Sequence, residues 1–113
     1  MFSKVRNNRH AEVERMLASG EVSPNARDAH GNTVLAVATQ NNRKRIVKAA
    51  VRAGVPLDAR NAQGQTAMHF AFAYGYDELA EYLVRKGADP TVVNAHGLRP
   101  DQGLDPDRLL GTA

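Results

Sequence analysis

The sequence contains no cysteine and only six aromatic residues, three Phe and three Tyr, in 113 positions. Without Cys there is no disulfide frame, no thiolate nucleophile and no Cys-based zinc site, which fits a reducing compartment. Long apolar runs are missing as well. None approaches the roughly 18 residues that a membrane helix needs, and the first residues, MFSKVRNNRHAEVERML, lack the continuous apolar stretch of a secretory signal. The expectation is a soluble, cytoplasmic protein without membrane contact. Catalytic signatures are equally sparse. His10, His30, His69 and His96 are dispersed, and HExxH, an EF-hand loop, a Gly-rich phosphate loop and GxSxG are all lacking. The adjacent carboxylates of Asp77 and Glu78 diverge on a helix. Neither an enzyme nor a cofactor or metal site is expected.

What is present suffices for one domain with a modest core: 42% hydrophobic and 24% charged residues is ordinary globular composition. The net charge of +3 hides a gradient. Residues 1–60 carry eleven Lys/Arg against five Asp/Glu, whereas residues 61–113 carry four against seven. Such asymmetry bears on partners and association rather than on fold.

Four of the six aromatic residues, Phe70, Phe72, Tyr74 and Tyr76, fall at alternate positions of GQTAMHFAFAYGYDE, which by itself reads as a strand. An internal repeat decides otherwise. DAHGNT from Asp28, NAQGQT from Asn61 and NAHGLR from Asn94 recur at a spacing of 33 residues, with Gly31, Gly64 and Gly97 coinciding, then Thr33 with Thr66, and Gly54 with Gly87. The Asn/Asp-x-x-Gly segments are turn chemistry. Thr33 and Thr66 stand where a hydroxyl caps a helix start, and Gly54 and Gly87 where a left-handed residue ends one. Ile46/Val47/Ala50/Val51 and Leu79/Ala80/Leu83/Val84 form helical stripes. Each unit therefore reads turn, short helix, loop, second helix, C-cap. The four aromatic residues start in a first helix, where a turn of about 100° per residue spreads alternate rings around the axis.

On these residues the chain resembles the ankyrin-repeat family: a 33-residue period, a G-x-T opening of each helix pair and the ending Gly87-Ala88-Asp89. The resemblance implies an all-α solenoid of helix-turn-helix units joined by turn or hairpin tips. Residues 1–27 resemble the end of an N-terminal capping repeat, 28–60 and 61–93 are full repeats, and 94–113 starts a unit that breaks off as a polar C-terminal cap. The final GLDPDRLLGTA stops without an evident helix end, so a piece of a longer protein is expected. Departures are specific. The family's T-P-L-H appears as TVLA (33–36) and TAMH (66–69), so only His69 keeps the histidine that in the family bonds the Thr and nearby turns. Asn42-Arg43 replaces the family's Gly-His at the inter-helix loop, and Gly75-Tyr76 half keeps it.

The family presents a concave surface of turn tips and first helices. Carried over position by position, its variable sites fall on His30, Asn32, Gln40 and Asn41, on Gln63, Gln65, Tyr74 and Lys86, and on His96, with Ala29, Ala53, Ala62, Ala73, Ala95 and Leu98 between them. Tyr74, flanked by Gln40 and Asn41, is the expected hot spot for a protein partner, while Phe70 and Phe72 are expected in the core and against the neighbouring repeat. A second candidate is the basic run Arg43, Lys44, Arg45, Lys48 and Arg52, joined by Lys4, Arg6, Arg9 and Arg15, which suits an acidic partner. The opposing reading is a solvated face screened by Asp77, Glu78 and Glu81. Absence of a recognised motif or aromatic platform argues against nucleic acid. The expected function is protein–protein interaction, with a structural or self-associating segment as its rival. The FAFAYGY version also resembles ankyrin segments in large proteins of flagellated protists, some of them cytoskeletal, so cytoskeletal association is a further expectation.

Overall fold

A computed structural model describes residues 1–104, so part of the expected C-terminal cap, 105–113, lies outside the described residues. Three helix pairs follow one another: α1 (Phe2–Arg6) with α2 (His10–Ser19), α3 (Val34–Gln40) with α4 (Lys44–Arg52), and α5 (Ala67–Ala73) with α6 (Asp77–Arg85). A short 3-10 turn at Pro100–Gln102 comes last. The aromatic stretch is therefore helical, and among the described residues the nearest approach to a strand is one isolated bridge, Arg27–Thr33.

Local chemistry sets the helix limits. Thr33 Oγ1 accepts from the Ala36 N–H at 3.1 Å. At Thr66 the cap is reciprocal: the hydroxyl faces the His69 N–H, and His69 Nδ1 accepts from the Thr66 N–H at 3.1 Å. That is a capping box with imidazole in place of the usual carboxylate or amide. Gly54 and Gly87, at φ 86° and 105°, follow the last residues of α4 and α6 as left-handed terminators. Helices of seven residues such as α3 and α5 are too short to persist alone, so packing holds them.

The packing is a two-layer stack. The inner helices line up with α3 between α1 and α5, α4 lies on α3 and α2, and α5 contacts α6 and the 3-10 turn. One continuous core runs along the 43 Å axis, with Val5, Val13, Leu35, Ile46, Val47, Met68 and Leu83 fully buried.

The tips repeat at atomic detail. Asp28, Asn61 and Asn94 each turn the chain by accepting two backbone N–H groups on one side-chain oxygen, from His30 and Asn32, from Gln63 and Gln65, and from His96 and Leu98, at 2.9–3.1 Å. Successive tips are tied by the Ala62 N–H to the His30 carbonyl and the Ala95 N–H to the Gln63 carbonyl, both 3.0 Å. This ladder explains Gly64: at φ 76°, a Cβ there would stand 2.6 Å from the Ala95 nitrogen.

The first unit differs from its sequence reading. Residues before Asp28 hold a whole helix pair, not the end of one. Asn8 and Asn42 both take φ 55°, and Gly75 takes 70°, so Asn7-Asn8-Arg9 is the same loop as Asn41-Asn42-Arg43 and Tyr74-Gly75-Tyr76. The offset between the first two loops is 34 residues and between the last two 33. The slip of one residue and the missing tip conceal the first pair.

Candidate functional site

Tips and inner-helix ends enclose an open groove of about 510 Å³, lined by Arg6, His30, Gln40, Asn41, Gln63 and Phe70 together with Asn32 and Asn61. The ladder puts the tips of two units side by side, and the left-handed loops turn the chain away just after Gln40. Gln40 is half-buried and His30 and Gln63 are exposed. Phe70, 5% exposed, forms an apolar floor. Its ring stacks nearly parallel on Tyr74, centroids 6.3 Å apart, and Tyr76 tilts against Tyr74 at 5.8 Å. Tyr74 itself is 46% exposed at the end of α5, beside the groove rather than in its lining.

Several site residues belong to the framework instead. Asn32 and Gln65, expected on the binding surface, are only 5% and 6% exposed. Asn32 Oδ1 accepts from Asn61 Nδ2 at 2.9 Å, while Gln65 accepts from Asn94 Nδ2 and donates to the Leu104 carbonyl at 3.0 Å. Both side chains join one tip to the next, so their polarity serves burial. Asn41 Nδ2 donates to the Val37 carbonyl at 2.8 Å and finishes α3. Lys86 caps the outer helix α6 and holds its ammonium 5.6 Å from the Tyr82 ring, apart from the tip residues. His96 is exposed on the third tip but does not line the groove.

The basic run is likewise shared out between units. Lys44 pairs with Glu78 at 2.7 Å and Arg45 with Glu14 at 3.2 Å, each across a unit boundary. Arg43 donates through Nε to the Arg6 carbonyl at 3.2 Å, closing the end of α1. Lys48 also lies over the Tyr82 ring, 5.9 Å from its centroid. In the first unit, Lys4 and Arg9 converge on Glu12, Arg6 reaches Asp28 and Arg15 reaches Glu21. Of the five patch cations, Arg43 and Arg52 have neither a carboxylate nor a ring partner among the described residues, and Arg43 is engaged with a backbone carbonyl. The run is therefore lacing between repeats more than a free surface.

Two titrations bear on the framework. Desolvation pushes the Asp28 carboxyl up, but the backbone N–H groups of Asn32 and His30 outweigh it and hold the group below its ordinary range. Burial lowers the His69 pKa below its usual value, against the raising effect of the bond from Nε2 to the Leu98 carbonyl at 2.8 Å. With Nδ1 accepting and Nε2 donating, His69 is a neutral, fully buried pin between two tips. Among the described residues no group of three or more His, Asp or Glu side chains is placed to hold a metal ion, and no helix is long and apolar enough to cross a membrane.

Comparison with known proteins agrees with this architecture. The family model for ankyrin repeats matches three copies over residues 2–94. The chain is 31% identical over 96 residues to protein phosphatase 1 regulatory subunit 27 of Mus musculus and of Homo sapiens, covering 85% of this chain and 62% of each relative. It is 32% identical over 87 residues to the B-cell lymphoma 3 protein homolog of Mus musculus, covering 74% of this chain and 19% of that one. The chain thus spans under two thirds of the length of these relatives. Ankyrin repeats are in general protein-binding modules without catalytic activity of their own. A matched triple repeat, the ladder of tips and the capped helix pairs establish that the chain belongs to the ankyrin-repeat family.

Proposed function

We propose that the chain binds a segment of a partner protein in the groove between tips and inner helices, with Gln40 and Gln63 bonding the segment and Phe70 and Tyr74 receiving an apolar side chain. The observation that supports it is the groove itself: about 510 Å³, an aromatic floor, and two primary amides whose side chains make no hydrogen bond among the described residues. Amides with both donor and acceptor capacity match a polypeptide backbone, and a stacked Phe–Tyr pair is a suitable anchor. The half of the chain that supplies Arg6, His30 and Gln40 to the groove is rich in Lys and Arg, and its net positive charge favours an acidic segment and steers its approach. Likeness to a protein whose name is a phosphatase regulatory subunit also supports a protein partner over a small ligand.

The test is quantitative capture of partners from a lysate, comparing wild type with Gln40→Ala/Gln63→Ala/Tyr74→Ala. Asn41 and Asn32 are left intact because both hold the framework. Recovery of a specific partner should fall by more than tenfold, as loss of roughly 1–2 kcal/mol or more at hot spots implies. Unchanged recovery by the folded variant would show that the groove is not the site.

A further inference from the structure

The loop register makes Val5, Thr39 and Phe72 equivalent, likewise Val13, Val47 and Ala80, and likewise Leu17, Val51 and Val84. In the first two units these positions are closed or nearly so by the unit that follows: Val5, Thr39, Val13 and Val47 are inaccessible, Leu17 is 7% exposed and Val51 is partly buried. In the third, Ala80 is still buried but Val84 is 46% exposed and Phe72 only partly buried, and a groove of about 530 Å³ runs along α6 between Phe72, Asp77, Ala80, Glu81, Val84 and Arg85. The 3-10 turn at Pro100–Gln102 roofs α5, whereas among the described elements α6 packs extensively on α5 alone.

The opposite end of the stack does not match this groove. Glu12 stands at the register of Ile46 and Leu79 and is tied to Lys4 at 2.6 Å and Arg9 at 2.9 Å. An ion cluster there makes head-to-tail stacking of two copies unfavourable. The α6 face is, however, complementary to itself. Asp77, Glu81 and Arg85 form one row along the helix, with Ala80 and Val84 in the row beside it. None of the three charged residues is in an ion pair among the described residues. Laying two α6 helices antiparallel about a two-fold axis puts Ala80 against Val84 and, at nearly the same stagger, Glu81 against Arg85, each twice. That is the reciprocity an isologous contact requires.

We propose that the α6 face is a self-association surface whose occupant is a second copy of this chain, joined tail to tail through Val84 and Phe72 and by two Glu81–Arg85 pairs. Only part of an end that measures 26 × 24 Å is available, which is less than the ~800 Å² per partner of a standard stable interface. The dimer is accordingly a weak one, with Kd on the order of ~10 µM or higher.

Sedimentation equilibrium of the full chain from roughly 1 µM to 1 mM tests it. A monomer–dimer equilibrium is expected for wild type. Val84→Asp should abolish it, and Glu81→Arg or Arg85→Glu alone should raise Kd at least tenfold, because each places like charges together twice. The double swap Glu81→Arg/Arg85→Glu should return Kd to within about threefold of wild type. All substitutions are on exposed positions, and circular dichroism confirms the fold. A monomer at every concentration overturns the proposal, as it would if a basic helix of another protein covers this face. A dimer indifferent to Val84→Asp, or weakened by the single swaps and not rescued by the double, overturns it as well.

Discussion

His69 shows how much one side chain does in so short a stack. Its ring is inaccessible, accepts from Thr66 at the start of α5 and donates to Leu98 in the next tip. The second unit has Ala36 at this position, so its tip is linked to the next by backbone bonds, by Asn32–Asn61 and by the Arg27 guanidinium on the Arg60 carbonyl, with no buried imidazole between them. Because burial lowers the folded pKa of His69, the unfolded chain takes up a proton first as pH falls. The stability from neutral His69 is fully present above the unfolded value near 6.5. It is lost as pH drops below that value toward the depressed folded one. Protonation of Nδ1 also removes the acceptor that caps Thr66. The urea midpoint of wild type should therefore decline between pH 7.5 and 5.5. His69→Gln should be less stable by ~2–4 kcal/mol at pH 7.5, from lost bonds and packing, but flatter with pH. A wild-type midpoint that does not move over this interval would rule out His69 as the titrating group. Asp28, held below its ordinary range, adds a separate loss only at still lower pH.

At the scale of elements, what could be read from the sequence was what local chemistry or the repeat governs. The turn glycines and the Thr33 and Thr66 caps each follow from a few neighbouring residues, whereas the rejection of a strand at Phe70–Tyr76 needed the 33-residue repeat and the structural role of His69 needed the family resemblance. Asn32 and Gln65 were misplaced because a polar side chain on a tip looks exposed until the next tip arrives and buries it. Lys44 and Arg45 read as a patch because their carboxylates, Glu78 and Glu14, sit 34 and 31 residues away. The first helix pair was legible only in the duplicated Asn-Asn-Arg at 7–9 and 41–43. Its α1 has five residues and no side-chain cap, far below the length that persists alone, so it depends on Val5 in the core and on Arg43 at its last carbonyl. Arg43→Ala should leave global stability nearly unchanged but raise hydrogen exchange at the α1 amides roughly tenfold, about 1.4 kcal/mol of local opening. Equal protection in both proteins would mean that Val5 suffices.

The whole molecule carries its charge unevenly, and the distribution separates what steers from what binds. Residues 1–60 hold most of the Lys and Arg, yet Lys44 and Arg45 are already engaged with carboxylates of adjoining units. Pairs this exposed contribute little to stability and are screened by salt. They also cannot offer a partner a free charge without giving up the one they have. A double variant, Lys44→Ala/Arg45→Ala, distinguishes the groove from the basic run. Melting temperature should shift by no more than about 3 °C, and capture of a partner at ~0.15 M salt should equal that of wild type within about twofold. Long-range steering belongs to net charge rather than to any one pair, so the removed charges should show in association rate at low salt and not in dissociation. If capture instead fell as far as it does with the Gln40/Gln63/Tyr74 variant, the outer face would be in the interface. The groove would then be a by-product of how consecutive tips stack.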